Sequence, residues 1–349
     1  MGMKISAVVE RFALGSAVRE WLARAEELPS PVRPLRVPVG AEAAAVLDMF
    51  ALSNQDRAEV ERLWPGSAGA GVGGDVGEWS PELWHLVECM YRRLCADVEL
   101  PMGEYRVWPT LVEAAEPRVR VASLWAFAAM VPTQFAVHAA LGVERAVTVA
   151  TLADVGVQVA RSRRMFGRLS LETSAWVAVQ FRNRLFWVGG LQVEPARLGD
   201  QGGVEWYAPG EARALGAGMA VGDPVLRLHI PTGGLEPVAV EGTLRRARGF
   251  ARAHLGMDPV VATCTSWLLD PGWERVLGEG SNIVGFQRRF RLVGRGQPGE
   301  SDVFRFVFGM PEVDVAAAPR RTRLERAVVD RLRAGGGWQV RTGWVRLSG

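Results

Sequence analysis

A chain of 349 residues that is 48% hydrophobic and 23% charged is long enough for two packed domains and too apolar to remain a disordered coil. Its formal charge of +3 is unevenly spread: residues 1–165 carry 17 Arg and Lys against 20 Asp and Glu, whereas residues 166–349 carry 24 against 18. Cys89, Cys95 and Cys264 give no disulfide framework, and neither they nor the four scattered histidines show a metal-ligand spacing. The sequence therefore predicts a cytoplasmic protein that holds no metal.

In chain order, the first half reads as a succession of helices. Apolar residues at helical spacing predict a helix over 7–28, ended by Pro29, Pro31 and Pro34. Glu10, Arg11, Arg19 and Glu20 interrupt any apolar run there, which speaks against a secretory leader. Short helices follow over 41–52 and 55–63, then a Gly/Ala-rich loop over 66–77. Ser80-Pro81 opens another helix, with Ser80 as N-cap and with Trp84, Val87, Tyr91 and Leu94 along one stripe. Residues 121–143 carry no charge and are numerous enough to span a bilayer, but Pro132, Thr133, Gln134 and His138 sit among them. Two buried helices, 119–131 and 133–141, meeting at Pro132 account for this stretch, and no membrane partner is expected. A helix over 144–165 ends the half.

The period changes after Gly167. A helix over 174–184 leads into strand-like 185–188, a Gly189-Gly190 turn and 191–194. A short strand is expected at 204–207. Residues 223–230 alternate, with Val225, Arg227 and His229 on one face and Leu226, Leu228 and Ile230 on the other. Pro237 opens a helix carrying Val240, Leu244, Ala247 and Ala251 at core spacing, and 260–264 is a short apolar strand. Asp270-Pro271 opens a further helix, 282–293 and 302–308 read as strands, 321–334 as a helix, and Trp338, Val340, Thr342 and Trp344 alternate in a last strand. This order predicts an α/β (α+β) fold: a helical domain over 1–168, then a mixed-sheet domain with flanking helices over 169–315. A C-terminal helix and strand over 316–349 pack on that core. The sheet is expected to span 185–308 with 225–230 central.

Several motifs carry a resemblance. They are His229-Ile230-Pro231 with Gly234-Leu235, then Cys264 through Pro271, Ser281-Asn282-Ile283 with Phe286, and Arg289-Phe290. With Leu191-Gln192 and the tail 335–344, they are similar to actinobacterial acyltransferases that join an N-terminal helical acyltransferase domain to a GNAT-like C-terminal domain. The likeness covers roughly residues 35–347, and Ser266 to Pro271 is its most distinctive part. It implies transfer of an acyl group from a thioester donor, acyl-CoA, to the amine of a small metabolite, in biosynthesis of specialised products. The helical half would supply the acceptor pocket.

In that fold a strand ends in a turn whose backbone N–H groups, with the next helix's N-terminus, hold the coenzyme pyrophosphate. Here the strand would be 225–230 and the cradle Thr232, Gly233, Gly234 and Leu235. The family's usual loop has an Arg or Gln ahead of its glycines and this one has not. An acyl carrier protein or an aminoacyl-tRNA therefore stands beside acyl-CoA as possible donor, and an inactive GNAT-like binding module stands as the alternative. The basic second half suits any polyanionic donor.

Amide formation needs a group to take the amine's proton, donors for the oxyanion and an acid for the leaving thiolate. His229, at the end of its strand, is the candidate base, with a structural hydrogen bond as its other reading. Ser266, after the next strand, is the candidate acid or else a cap. Cys264 beside His229 would suit an acyl-enzyme, although the apolar residues around it suggest an inert thiol. No G-x-S-x-G elbow is present.

Overall fold

The computed structural model describes residues 5–65, 79–199, 203–233 and 235–348, and the expected loop over 66–77 lies outside them. The chain forms two compact units, Met1–Leu185 and Phe186–Gly349.

The first unit is helical. The single helix expected over 7–28 is two, Ile5–Arg11 and Ser16–Glu26, because Ala13 adopts a left-handed conformation between them. Helix Pro81–Asp97 starts as its sequence dictates, with the Ser80 hydroxyl accepting from the Leu83 N–H at 3.3 Å and Pro81 in the first turn. The uncharged stretch forms one helix, Ala122–Ala140, that runs through Pro132 instead of breaking there. An interior proline costs about 3 kcal/mol. Burial outweighs that here: Leu124, Trp125, Phe127, Ala128 and Met130 are all sealed from solvent, each large side chain contributing roughly 1.5–3 kcal/mol. The stretch is core, and among the described residues no helix is long and apolar enough to cross a membrane.

Trp125 meets Trp64 edge-on at 4.9 Å and Trp79 at 5.3 Å, while Phe127 stacks on Phe181 at 5.0 Å. Several charged groups inside the unit are paired as burial requires. Asp154 accepts from Gln158, Trp176 and Gln180, and Arg182 donates to the carbonyls of Asp97, Leu100, Pro101 and Glu104.

The second unit is a six-stranded mixed sheet of β1 (Phe186–Val188), β2 (Leu191–Arg197), β3 (Pro224–His229), β4 (Val261–Ser266), β5 (Arg291–Pro298) and β6 (Gln339–Arg346), in the order β1-β2-β3-β4-β6-β5. Among the described residues only β3 and β4 pair in parallel. A parallel pair needs a crossover, which helix Pro237–His254 supplies. Its Val240, Leu244, Ala247 and Ala251 are buried as the spacing predicts, and it packs against β1 and β2. At the β1–β2 hairpin Gly190 has no room for a side chain, since a Cβ would come within 2.6 Å of Ala239. Thr243 Oγ1 locks this contact, accepting from the Gly190 N–H at 2.9 Å and donating to the Val188 carbonyl at 2.6 Å.

Three expected strands differ. Residues 204–207 are extended chain outside the sheet, laid over one of its faces with Val204 and Trp206 buried in a cluster with Ala196, Val225, Val261 and Trp344. The stretch over 282–293 begins as helix Asn282–Gln287, because the Ser281 hydroxyl caps it by accepting from the Ile283 N–H; only its end joins β5. Residues 302–308 are helical as well, Glu300–Val303 running into the wide turn Phe304–Phe308. There Val303 and Phe304 sink into a cluster with Trp267, Trp273 and Trp338. Short apolar runs carry no period long enough to separate strand from helix. The last strand was read as packed on the core; as β6 it lies inside the sheet, between β4 and β5, so the sheet extends to residue 346. β3 is interior, as its alternation predicts.

Candidate active site

The site starts from a gap in hydrogen bonding. β3 and β4 are in register only at Leu226↔Ala262 and Arg227↔Thr263. Beyond that point β3 continues to pair with β2, as far as His229↔Gln192, and β4 with β6, as far as Ser266↔Arg341. The two parallel strands thus part at their C-terminal ends, opening a slot in the middle of the sheet. Strand edges inside such a slot present backbone N–H and C=O groups to whatever enters it.

Side chains alternate across the sheet, so the register sorts them. Gln192 and Glu194 of β2, Arg227 and His229 of β3, Thr263 and Thr265 of β4 and Thr342 of β6 share one face. Leu228 and Cys264 share the other. His229 Nε2 lies 2.9 Å from Glu194 Oε2; the imidazole is 25% exposed and the carboxylate only 3%. With Glu194 ionised, Nε2 must be the donor, which fixes the tautomer with its lone pair on Nδ1. A partly exposed imidazole oriented by a buried carboxylate is an arrangement suited to taking a proton. Thr265 and Thr342 hydroxyls are bonded to one another at 2.9 Å.

The other sequence candidates fall as follows. Ser266 ends β4 in the phase opposite to His229 and Thr265, and its hydroxyl accepts from the Leu268 N–H at 3.1 Å, capping the short turn Trp267–Leu269. The structure does not bring it to His229. Cys264 is also on the opposite face, and burial pushes its thiol up to about 12, so the pairing with His229 required for an acyl-enzyme is absent. Thr232 and Gly233 are exposed in the loop after β3, Gly233 with φ +79 and open space where a Cβ would stand; Leu235 is half-buried, and Gly234 lies outside the described residues.

Among the described residues no side chain caps the 18-residue helix Pro237–His254 that follows, which leaves its first-turn N–H groups pointing at the loop. Asn282 Nδ2 donates to Glu236 Oε1 at 3.3 Å, so the start of helix Asn282–Gln287 lies beside the same loop. Of the clustered arginines, Arg248 and Arg252 pair with Asp258, Arg288 with Glu274 and Glu279, and Arg289 with Glu241. Among the described residues no group of His, Cys, Asp or Glu is placed to hold a metal.

Comparison with known proteins bears on this geometry. Residues 41–183 match the N-acyltransferase N-terminal domain, and residues 185–345 match the GNAT-like C-terminal domain. An acyltransferase solved in complex with decanoyl-CoA is 30% identical, with a TM-score of 0.77 over 99% of this chain and 100% of the other. The chain belongs to this acyltransferase family.

A mutant acyltransferase in complex with octanoyl-CoA, and an acyltransferase in complex with decanoyl-CoA and teicoplanin, are each 29% identical with a TM-score of 0.79 over the same extents. No curated protein matches the chain. The two family domains meet at residue 184, next to the division of the two compact units at Leu185/Phe186.

The residue that sequence reasoning missed in this acyltransferase is Glu194. A signal existed: Gln192 and Glu194 stand two apart in a strand whose alternate residues Leu191, Val193 and Pro195 are not charged, and period two puts both on one face. What the sequence lacked was the knowledge that this face is the one carrying His229.

Proposed function

We propose that this acyltransferase moves a medium-chain acyl group from acyl-CoA to the amine of a soluble acceptor of specialised metabolism. The observation that carries the reading is the slot between β3 and β4, with the His229–Glu194 pair on its rim and the uncapped helix N-terminus just beyond it. The donor's acyl-pantetheine arm enters the slot, and its pyrophosphate lies over Thr232, Gly233, Gly234 and Leu235 against the first turn of helix Pro237–His254. Full-length likeness to acyltransferases holding octanoyl-CoA and decanoyl-CoA supports the donor, and likeness to one holding teicoplanin supports an amine-bearing acceptor of that kind. The free cysteines support work in a reducing compartment.

His229 Nδ1 takes the proton as the amine nitrogen attacks the thioester carbon. Backbone N–H groups in the slot face the developing oxyanion, the C–S bond breaks, and the leaving CoA thiolate takes up the proton that His229 accepted, which restores the neutral imidazole. Glu194 holds the imidazole in the required tautomer and stabilises its cationic form. Ser266 is assigned its capping role.

The test uses decanoyl-CoA and a panel of amine acceptors. His229→Ala should lower the transfer rate by roughly 10²–10⁴-fold while leaving decanoyl-CoA binding within about twofold. Gly233→Val should do the reverse and weaken donor binding first, because a branched side chain resists φ +79 and holds phosphate off the backbone. Full activity in His229→Ala, or equal loss of rate and folding, would return His229 to a structural role.

A further inference from the structure

One polar side chain on the site face is left over. Gln192 is directly opposite His229 in the β2–β3 ladder and therefore beside it on the same face. It is 2% exposed, and its Nε2 has no hydrogen-bond partner among the described residues. Its neighbours are paired, His229 with Glu194 and Thr265 with Thr342. Buried amides are satisfied in the large majority of cases, because an unmet donor forfeits its hydration without return. Gln134 Oε1, Gln180 Oε1 and Asn183 Oδ1 are unmet in the helical unit as well, but Gln192 alone among these amides stands beside the candidate base.

Position decides which ligand. The slot lies on the β4 side of β3, whereas Gln192 lies on the β2 side, one strand spacing of about 4.8 Å from His229 in the opposite direction. With the thioester in the slot, as proposed above, the imidazole stands between it and the amide. A molecule that reaches His229 and Gln192 together is the acceptor, not the donor.

We infer that Gln192 is an acceptor-binding residue: its side-chain amide donates to an oxygen of the acceptor close to the amine that His229 deprotonates. The acceptor class is then an amine with a hydroxyl, ether or carbonyl oxygen near the nitrogen, in preference to a plain alkylamine. The inference rests on the acyl-transfer reading given above.

Gln192→Leu tests it, since leucine fills similar space without either polar group. Acceptor affinity is read by calorimetric titration of deacylated teicoplanin into the CoA-saturated protein, and steady-state rates with decanoyl-CoA are read alongside. The expected result is a roughly 10- to 100-fold loss of acceptor affinity, with the KM for decanoyl-CoA within about twofold of wild type. The melting temperature should be equal or higher by a few degrees, because a buried unmet donor is gone. Equal acceptor affinity in the two proteins overturns the inference, and so does a melting temperature lowered by more than about 5 °C, the signature of a structural amide. The titration needs no turnover. An affinity lost in Gln192→Leu, together with wild-type protein that binds the acceptor but transfers no acyl group, would keep the acceptor site and refute the donor reading.

Discussion

His138 gives the stability of the helical unit a defined pH dependence. It lies in the last turn of helix Ala122–Ala140, where the helix dipole favours a cation, but it is fully buried, with Nδ1 2.9 Å from Thr148 Oγ1. Burial wins and holds the imidazole down from 6.5 to about 4. The unfolded chain therefore binds a proton at a pH where the folded one does not, so stability is complete above pH 6.5 and falls as the pH drops towards 4. Between pH 7.5 and pH 5.0 that linkage amounts to about 2 kcal/mol, out of a full effect of roughly 3 kcal/mol set by 1.36 kcal/mol per pH unit. Carboxylates elsewhere also respond to acid, so the measurement is a comparison with His138→Gln, which keeps a polar group near Thr148 but cannot take up a proton. Native-state hydrogen exchange of amides 122–140, followed by mass spectrometry, reports the opening free energy of that helix in both proteins. Wild type should lose about 2 kcal/mol more than His138→Gln across this interval. Equal losses would refute the reasoning and place the proton elsewhere.

Three further outcomes are expected. A Cβ on Gly156 would come within 2.4 Å of the Phe50 and Ala51 carbonyl oxygens, so Gly156→Ala must push backbone aside. Despite the better helix propensity of alanine, it should destabilise by about 2 kcal/mol, read as a lowered urea midpoint; an unchanged midpoint would mean the helices can part freely. Cys264, buried with its thiol pushed up to about 12, should resist maleimide at pH 8 in the native protein and react only on unfolding. Cys264→Ala should keep transfer activity within about threefold, and an acyl group found on Cys264 by peptide mapping would contradict this.

Local chemistry made much of this protein legible in its sequence. Ser80-Pro81 starts a helix because a hydroxyl and a fixed φ suit that position wherever they occur. The alternation over 223–230 marks an interior strand, and the spacing of Val240, Leu244, Ala247 and Ala251 marks the crossover helix that a parallel pair requires. His229 could be named as a candidate because strand, turn and helix follow one another directly along the chain. Pro132 misled because burial of a whole helix overrides a local penalty, and Asn282–Gln287 and Phe304–Phe308 misled because runs this short have no resolvable period. The slot, the pairing of Glu194 with His229 across 35 positions, and the insertion of β6 between β4 and β5 depend on which strands meet and in what register. Hydrogen-bond ladders between distant segments set these features. A one-residue shift would turn Glu194 and Gln192 to the opposite face, so the tertiary structure alone decides that they stand with the imidazole.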